Sequence, residues 1–155
     1  MKFQIKQQLF RLFDTFDIKD ENDRLICTVS NDGILAHSFT IRDDINNVSF
    51  RIDEKMFRFL PTFEIYLNNE RVGTIKSRFN LFVKRLNIDL YNLSVEGGLW
   101  DFNFRILDQN RKLVAQIERK FFTLTDTYEI NCIDERYNIL VILICLCIDT
   151  INCHN

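Results

Sequence analysis

An unbroken apolar run, Ile139-Leu140-Val141-Ile142-Leu143-Ile144-Cys145-Leu146-Cys147-Ile148, constrains this chain more than any other feature. Tyr137 precedes it and Asp149 ends it. Three readings compete. A membrane-spanning helix needs about 20 apolar residues, and this run is half that. A buried central strand suits the Ile and Val content, but the run is long for a strand. A helix apolar on every side, hidden inside something else, accounts for it best. The helix is expected from about residue 135 to 149, with Leu140, Leu143 and Ile144 in the core.

Such a helix needs an apolar surround, and the rest of the chain supplies the pattern for one. Phe16-Asp17-Ile18-Lys19, Val48-Ser49-Phe50-Arg51-Ile52, Phe63-Glu64-Ile65-Tyr66 and Phe102-Asn103-Phe104-Arg105-Ile106 alternate with period two. Alternation gives a strand one buried and one wet face. Polar clusters such as Asp20-Glu21-Asn22-Asp23, Asn68-Asn69-Glu70 and Asp108-Gln109-Asn110 separate the runs. They suit tight antiparallel hairpins. A repeat is also visible. Residues 9–16, 56–63 and 121–128 resemble one another, and 79–86 is a looser copy. Each is followed by x-Ile, at Ile18, Ile65, Ile88 and Ile130. The chain holds 15 Phe, a surplus that an antiparallel sheet closed around the helix would absorb, since closure also removes exposed edges.

Composition narrows the classes. At 155 residues a single domain covering 1–155 is expected, with strands over about 2–132. Twenty Lys and Arg against 22 Asp and Glu give a net charge of −2, which argues against nucleic acid as a partner. The N-terminal stretch alternates and carries no apolar signal core, so the cytoplasm is the default location. The cysteines are Cys27, Cys132, Cys145, Cys147 and Cys153. They contain no C-x-x-C pair and read as buried free thiols, not metal ligands.

Five segments stand in a set order: Lys6-Gln7-Gln8-Leu9-Phe10, Phe16-Asp17-Ile18-Lys19-Asp20-Glu21-Asn22, Leu60-Pro61-Thr62-Phe63-Glu64-Ile65-Tyr66, Val95-Glu96-Gly97-Gly98-Leu99-Trp100-Asp101 and residues 120–128, followed by the apolar run. Together they resemble the LURP-one-related family, which has the tubby C-terminal-like fold. The resemblance implies a mainly β protein, a closed twelve-stranded antiparallel β-barrel around a central hydrophobic C-terminal α-helix. It also implies kinship with phosphoinositide-binding tubby proteins and with phospholipid scramblases. It carries over no catalytic motif and no cofactor.

The residues offer little to an enzyme. Of the two histidines, His154 is next to last and His37 adjoins Ser38 in a strand, so those two side chains point to opposite faces. No nucleophile elbow or phosphate loop is present. Asp20-x-Asn22-x-Arg24 lacks the ligands and glycine of a calcium loop. Gly97-Gly98 reads as a bulge or bend that lets Trp100 cap the barrel. The basic residues are more suggestive. Lys76, Arg78, Lys84 and Arg85 would share a rim if their strands pair, Arg51, Lys55 and Arg58 form a second group, and Arg111, Lys112, Arg119 and Lys120 a third. A cationic rim attracts anionic phospholipid at about 1 kcal/mol per charge. The expectation is a non-enzymatic binding or scaffold module, peripheral to the inner membrane face. Its alternative is a protein–protein interaction or signalling module without lipid, and an enzyme with an unrecognised site is a remote third.

Overall fold

A computed structural model of the chain describes residues 1–6, 15–32, 37–55, 60–80, 83–88, 91–98, 103–120 and 127–153, with the backbone alone for 77–80, 83–88 and 153. The strands are β1 (Lys2–Lys6), β2 (Thr15–Lys19), β3 (Leu25–Asn31), β4 (Ser38–Asp43), β5 (Val48–Glu54) and β6 (Thr62–Leu67). There follow β7 (Glu70–Asn80), β8 (Val83–Ile88), β9 (Leu93–Gly98), β10 (Asn103–Leu107), β11 (Leu113–Lys120) and β12 (Thr127–Cys132). A single 3-10 turn, Glu135–Tyr137, leads into the helix α1 (Asn138–Cys153).

The protein is mainly β, one antiparallel sheet of twelve strands plus the helix. Neighbours in sequence pair from β2 through β12, and β12 also pairs with β1, so the two ends of the sheet are β1 and β2. Between those ends the described residues carry one isolated bridge, Phe3 to Asp20, and the Glu21 amide donates to the Lys2 carbonyl at 3.2 Å. A continuous β1–β2 ladder is not among the described pairings. The antiparallel sheet and helix expected from the sequence are therefore present, and the full closure of the barrel is the part they leave open.

The period-two pattern is more regular than the repeat in the sequence suggests. Every even-numbered strand carries a large apolar residue, one spacer, then Ile: Phe16 and Ile18, Phe39 and Ile41, Phe63 and Ile65, Leu86 and Ile88, Phe104 and Ile106, Tyr128 and Ile130. Each pair lies across from residues of the next strand in the sheet. Phe16 faces Val29, Phe39 faces Ile52, Phe104 faces Ile117, and Tyr128 faces Ile5. These cross-strand pairs are the units that hold a sheet together. Outside β8, whose side chains lie outside the description, all of these even-strand residues are buried in one core. The 9–16, 56–63 and 121–128 repeats, and the looser 79–86 copy, fall mostly outside the described side chains.

The connections leaving the even strands gather at one end of the sheet, because all pairings are antiparallel. Two of them are copies. Asp20 Oδ1 accepts from the amides of Asn22 and Arg24 at 2.8 and 2.9 Å, and Asp108 Oδ1 accepts from those of Asn110 and Lys112 at the same distances. Asp23 and Arg111, fourth in each loop, both take φ of 62°. The two-residue β6–β7 turn, Asn68-Asn69, has φ of 47° and 71°. Asparagine tolerates that left-handed region, and two such residues match the twist of a hairpin.

Helix α1 enters at this same end. Its β-branched content disfavours helix locally, so burial decides its conformation. Every residue from Leu140 to Ile151 is buried, and each large side chain contributes on the order of 1.5–3 kcal/mol by leaving water. A helix without an exposed stripe must be covered on all sides, and its residues share one core with the buried faces of the strands. Leu140, Leu143 and Ile144 lie in the core as expected. The helix runs to Cys153, past the expected end at Asp149. Two bonds allow this: Tyr128 Oη donates to Asp149 Oδ1 at 3.1 Å, and Thr150 Oγ1 donates to the Leu146 carbonyl at 2.9 Å.

Candidate functional site

The four cations singled out by the sequence lie on one hairpin. Strands β7 and β8 pair, with Arg78 opposite Arg85, Lys76 opposite Asn87 and Lys84 opposite Phe79. Lys76, Arg78 and Arg85 therefore share one parity of the ladder, whereas Lys84 takes the parity of the buried Ile75. Lys76 is exposed and makes no ion pair among the described residues. The register thus sets three basic residues at neighbouring ladder positions, an arrangement unfavourable for like charges unless an anion joins them.

In the other two basic groups, Arg51, Lys55, Arg111 and Lys120 are paired with carboxylates. Lys55 Nζ lies 2.7 Å from Glu64 Oε2, and Arg71 Nε 3.3 Å from Glu64 Oε1. Tyr66 Oη also donates to Glu64, at 2.8 Å. These donors, the Lys55 ammonium above all, hold the Glu64 carboxyl below its ordinary range. Arg51 pairs with Asp53 and lies 4.3 Å above the Tyr66 ring. Arg111 forms a two-pronged pair with Glu96 at 2.9 and 3.0 Å, and Lys120 meets Glu118 and Glu129. Arg58 and Trp100 lie outside the described residues.

The residues considered for catalysis have structural employment. His37 Nδ1 is 2.9 Å from Glu54 Oε2, and its ring stacks near Phe39. Asp20, in the stretch that lacks the pattern of a calcium loop, spends both oxygens on its own turn: Arg24 Nε and Nη2 reach Oδ2 at 2.8 and 2.7 Å. The Arg24 amide, with that guanidinium, lowers the Asp20 pKa. Burial pushes the thiol of Cys27 up to about 12 and that of Cys132 up to about 11, and those of Cys145 and Cys147 are raised also. A thiol so protonated is a poor nucleophile. Among the described residues no cluster of His, Cys, Asp and Glu could hold a metal ion, and no helix is long and apolar enough to cross a membrane.

Gly97, expected at a bulge or bend, lies in a regular part of the β9–β10 ladder opposite Phe104, with a left-handed backbone. Its φ is 126°, and a Cβ there would lie 2.7 Å from the Asn103 carbonyl and 2.9 Å from the Phe104 Cα. Only glycine fits this approach of β9 to β10.

One feature was not legible in the sequence. Where α1 enters, the even-strand turns leave an open cavity of about 790 Å³. Leu25, Ile45, Tyr91, Tyr137 and Ile139 line it, with Asp43 and Asn138. Ile45 and Tyr91 are 78% and 54% exposed, so apolar surface meets solvent here. These residues come from separate turns, and each alone reads as an ordinary loop residue.

With this geometry in hand, comparison with known proteins gives one answer. The LURP-one-related family description matches residues 1–149, and the chain belongs to that family. No curated protein and no solved structure matches it.

Proposed function

We propose that the chain is a non-enzymatic binding module that associates peripherally with anionic phospholipid through the β7–β8 hairpin. The observation that carries this reading is the register that sets Arg78 opposite Arg85 beside exposed Lys76. Lys76, the member of this group whose side chain is described, has no carboxylate partner among the described residues. The reading takes the sheet to close as a tubby-like barrel, supported by the Phe3–Asp20 bridge. A lumen filled by α1 leaves binding to the outer surface and the ends.

Liposome flotation of the full chain tests this. Flotation with anionic vesicles alone, lost at high salt and lost in an Arg78→Glu/Arg85→Glu variant that melts normally, is the expected result. Absence of flotation with anionic vesicles at low salt would overturn the lipid reading and leave a protein partner. Salt-resistant flotation with neutral vesicles as well would mean that α1 inserts, contrary to its buried position.

A further inference from the structure

We infer that the cavity at the α1 entrance is a binding site for a small organic ammonium, a primary amine on an apolar body. This site lies apart from the basic hairpin and does not depend on its role.

Three independent observations converge. The first is size and lining. Ligand pockets run to roughly 300–1,000 Å³, mostly apolar with a few placed polar groups, and this one holds about 790 Å³ with Leu25, Ile45, Val48 and Ile139 in its wall.

The second is an acceptor without a donor. Asn138 is more than nine-tenths buried and lines the cavity, yet its Oδ1 has no hydrogen-bond partner among the described residues. Its Nδ2 meets only the Met1 Sδ, at 3.1 Å. Buried polar side chains are otherwise bonded, and an orphaned carbonyl oxygen calls for an N–H or O–H.

The third is charge. Of the acidic groups at the cavity, Asp20 is matched by Arg24. Asp43 accepts from the Ile45 and Asn46 amides and from Asn46 Nδ2, and no cation pairs with it among the described residues. Glu135 is exposed and has only the Met1 ammonium, at 3.7 Å. Arg136 is held by Asp134 at 2.6 Å. With Arg24, Arg136 and the Met1 ammonium each matched to a carboxylate, Asp43 is the unpaired charge left among the described lining residues. In the same lining, the rings of Tyr91 and Tyr137 meet edge to face, 5.8 Å between centroids; the Arg136 guanidinium lies 5.9 Å over the Tyr137 ring, and the more exposed Tyr91 offers a further aromatic face to a cation.

Two competing considerations resolve in the same direction. A bare helix N-terminus favours anions. Here Asp134 caps the preceding 3-10 turn by accepting from the Arg136 amide, and the Asn138 amide donates to the Glu135 carbonyl, so two N–H groups at that end are already bonded. The second concerns Tyr91, which holds φ of 58°. A bulky residue in the left-handed region is unfavourable and marks function more often than stability. Asparagine occupies comparable positions at Asn47, Asn68 and Asn69. Tyr91 stays more than half exposed, so burial does not compensate for that strain.

Titration of the full chain with hexylammonium, hexyltrimethylammonium and hexanoate, followed by ligand-observed NMR, tests the site. Hexylammonium is expected to bind, hexyltrimethylammonium to bind about tenfold more weakly for lack of N–H donors, and hexanoate more weakly still. Asp43→Asn keeps the Oδ1 that organises its turn and is expected to weaken hexylammonium by about tenfold. Tyr91→Asn is expected to weaken binding without lowering the melting temperature. Absence of hexylammonium binding, equal binding of hexanoate, or unchanged binding in Asp43→Asn would each overturn the assignment.

Discussion

The phenol of Tyr128 on β12 donates to Oδ1 of Asp149 on α1 at 3.1 Å, inside the core. It joins the last strand to the helix by a charged acceptor where apolar contacts would otherwise suffice. Desolvation, followed by the Asp149 charge, raises the Tyr128 pKa. Tyr128→Phe keeps the ring but removes the donor. It is expected to cost about 1–3 kcal/mol, read as a shift of the denaturant midpoint. An unchanged midpoint would mean that other partners of Asp149 carry its charge.

The helix supplies the centre of the core, so its loss should be total. Leu143, fully buried, becomes an unpaired buried charge in Leu143→Asp, and no soluble, cooperatively melting protein is expected. Deleting everything after Arg136 is expected to do the same. Leu143→Ala, which leaves only a cavity, should fold with a loss of about 2–5 kcal/mol. A truncated chain that melts cooperatively would show that the sheet is stable empty.

Burial of the thiols gives a chemical and an alkaline prediction. Cys27, Cys132, Cys145 and Cys147 are free and buried. Native protein treated with iodoacetamide should leave these four unmodified, and unfolded protein should not, as peptide mass mapping would read. In the unfolded chain they ionise near pH ~8.5. In the folded chain Cys132 and Cys27 hold their protons to about 11 and about 12. The unfolded state therefore binds fewer protons over that interval, and stability should fall as pH rises from roughly 8.5. A flat alkaline profile would contradict this.

At the acid end the sign reverses. The folded-state pKa values of Asp20, Glu64 and Asp134 are lowered, chiefly by the Arg24 amide, the Lys55 ammonium and the Arg136 guanidinium respectively. Their contribution is complete above the unfolded value of about 4 and is lost as pH falls through the folded values. Asp20→Asn should flatten the acid limb of a melting-temperature profile. An acid limb as steep as that of the wild type would assign the loss to other carboxylates.

Gly97→Ala forces a side chain into a left-handed position against the Asn103 carbonyl. It should destabilise by more than about 1 kcal/mol. A neutral result would require β9 and β10 to part without cost.

The fold was largely legible because its two periods are clean. Phe-x-Ile alternation marks strands, and an apolar run without a polar stripe marks a helix that must be enclosed. The end of that helix was misread at Asp149, since a carboxylate after an apolar run reads as a boundary. Only the distant Tyr128 reveals that it is buried. The basic hairpin was legible as a charge cluster, but the pairing that separates Lys84 from Arg78 and Arg85 is a matter of register. The cavity was not legible at all. Leu25, Ile45, Tyr91 and Asn138 are separated by tens of residues, and nothing local distinguishes them from other turn positions.

The position of α1 after all twelve strands sets the order of events during synthesis. Ribosomes add about 5–20 residues per second, so β1 must wait on the order of ten seconds for its partner β12, and longer for the helix that shares their core. Over that interval the apolar faces of the strands lack the helix they are buried against. Emergence of α1, not that of any strand, is then the event that completes the core.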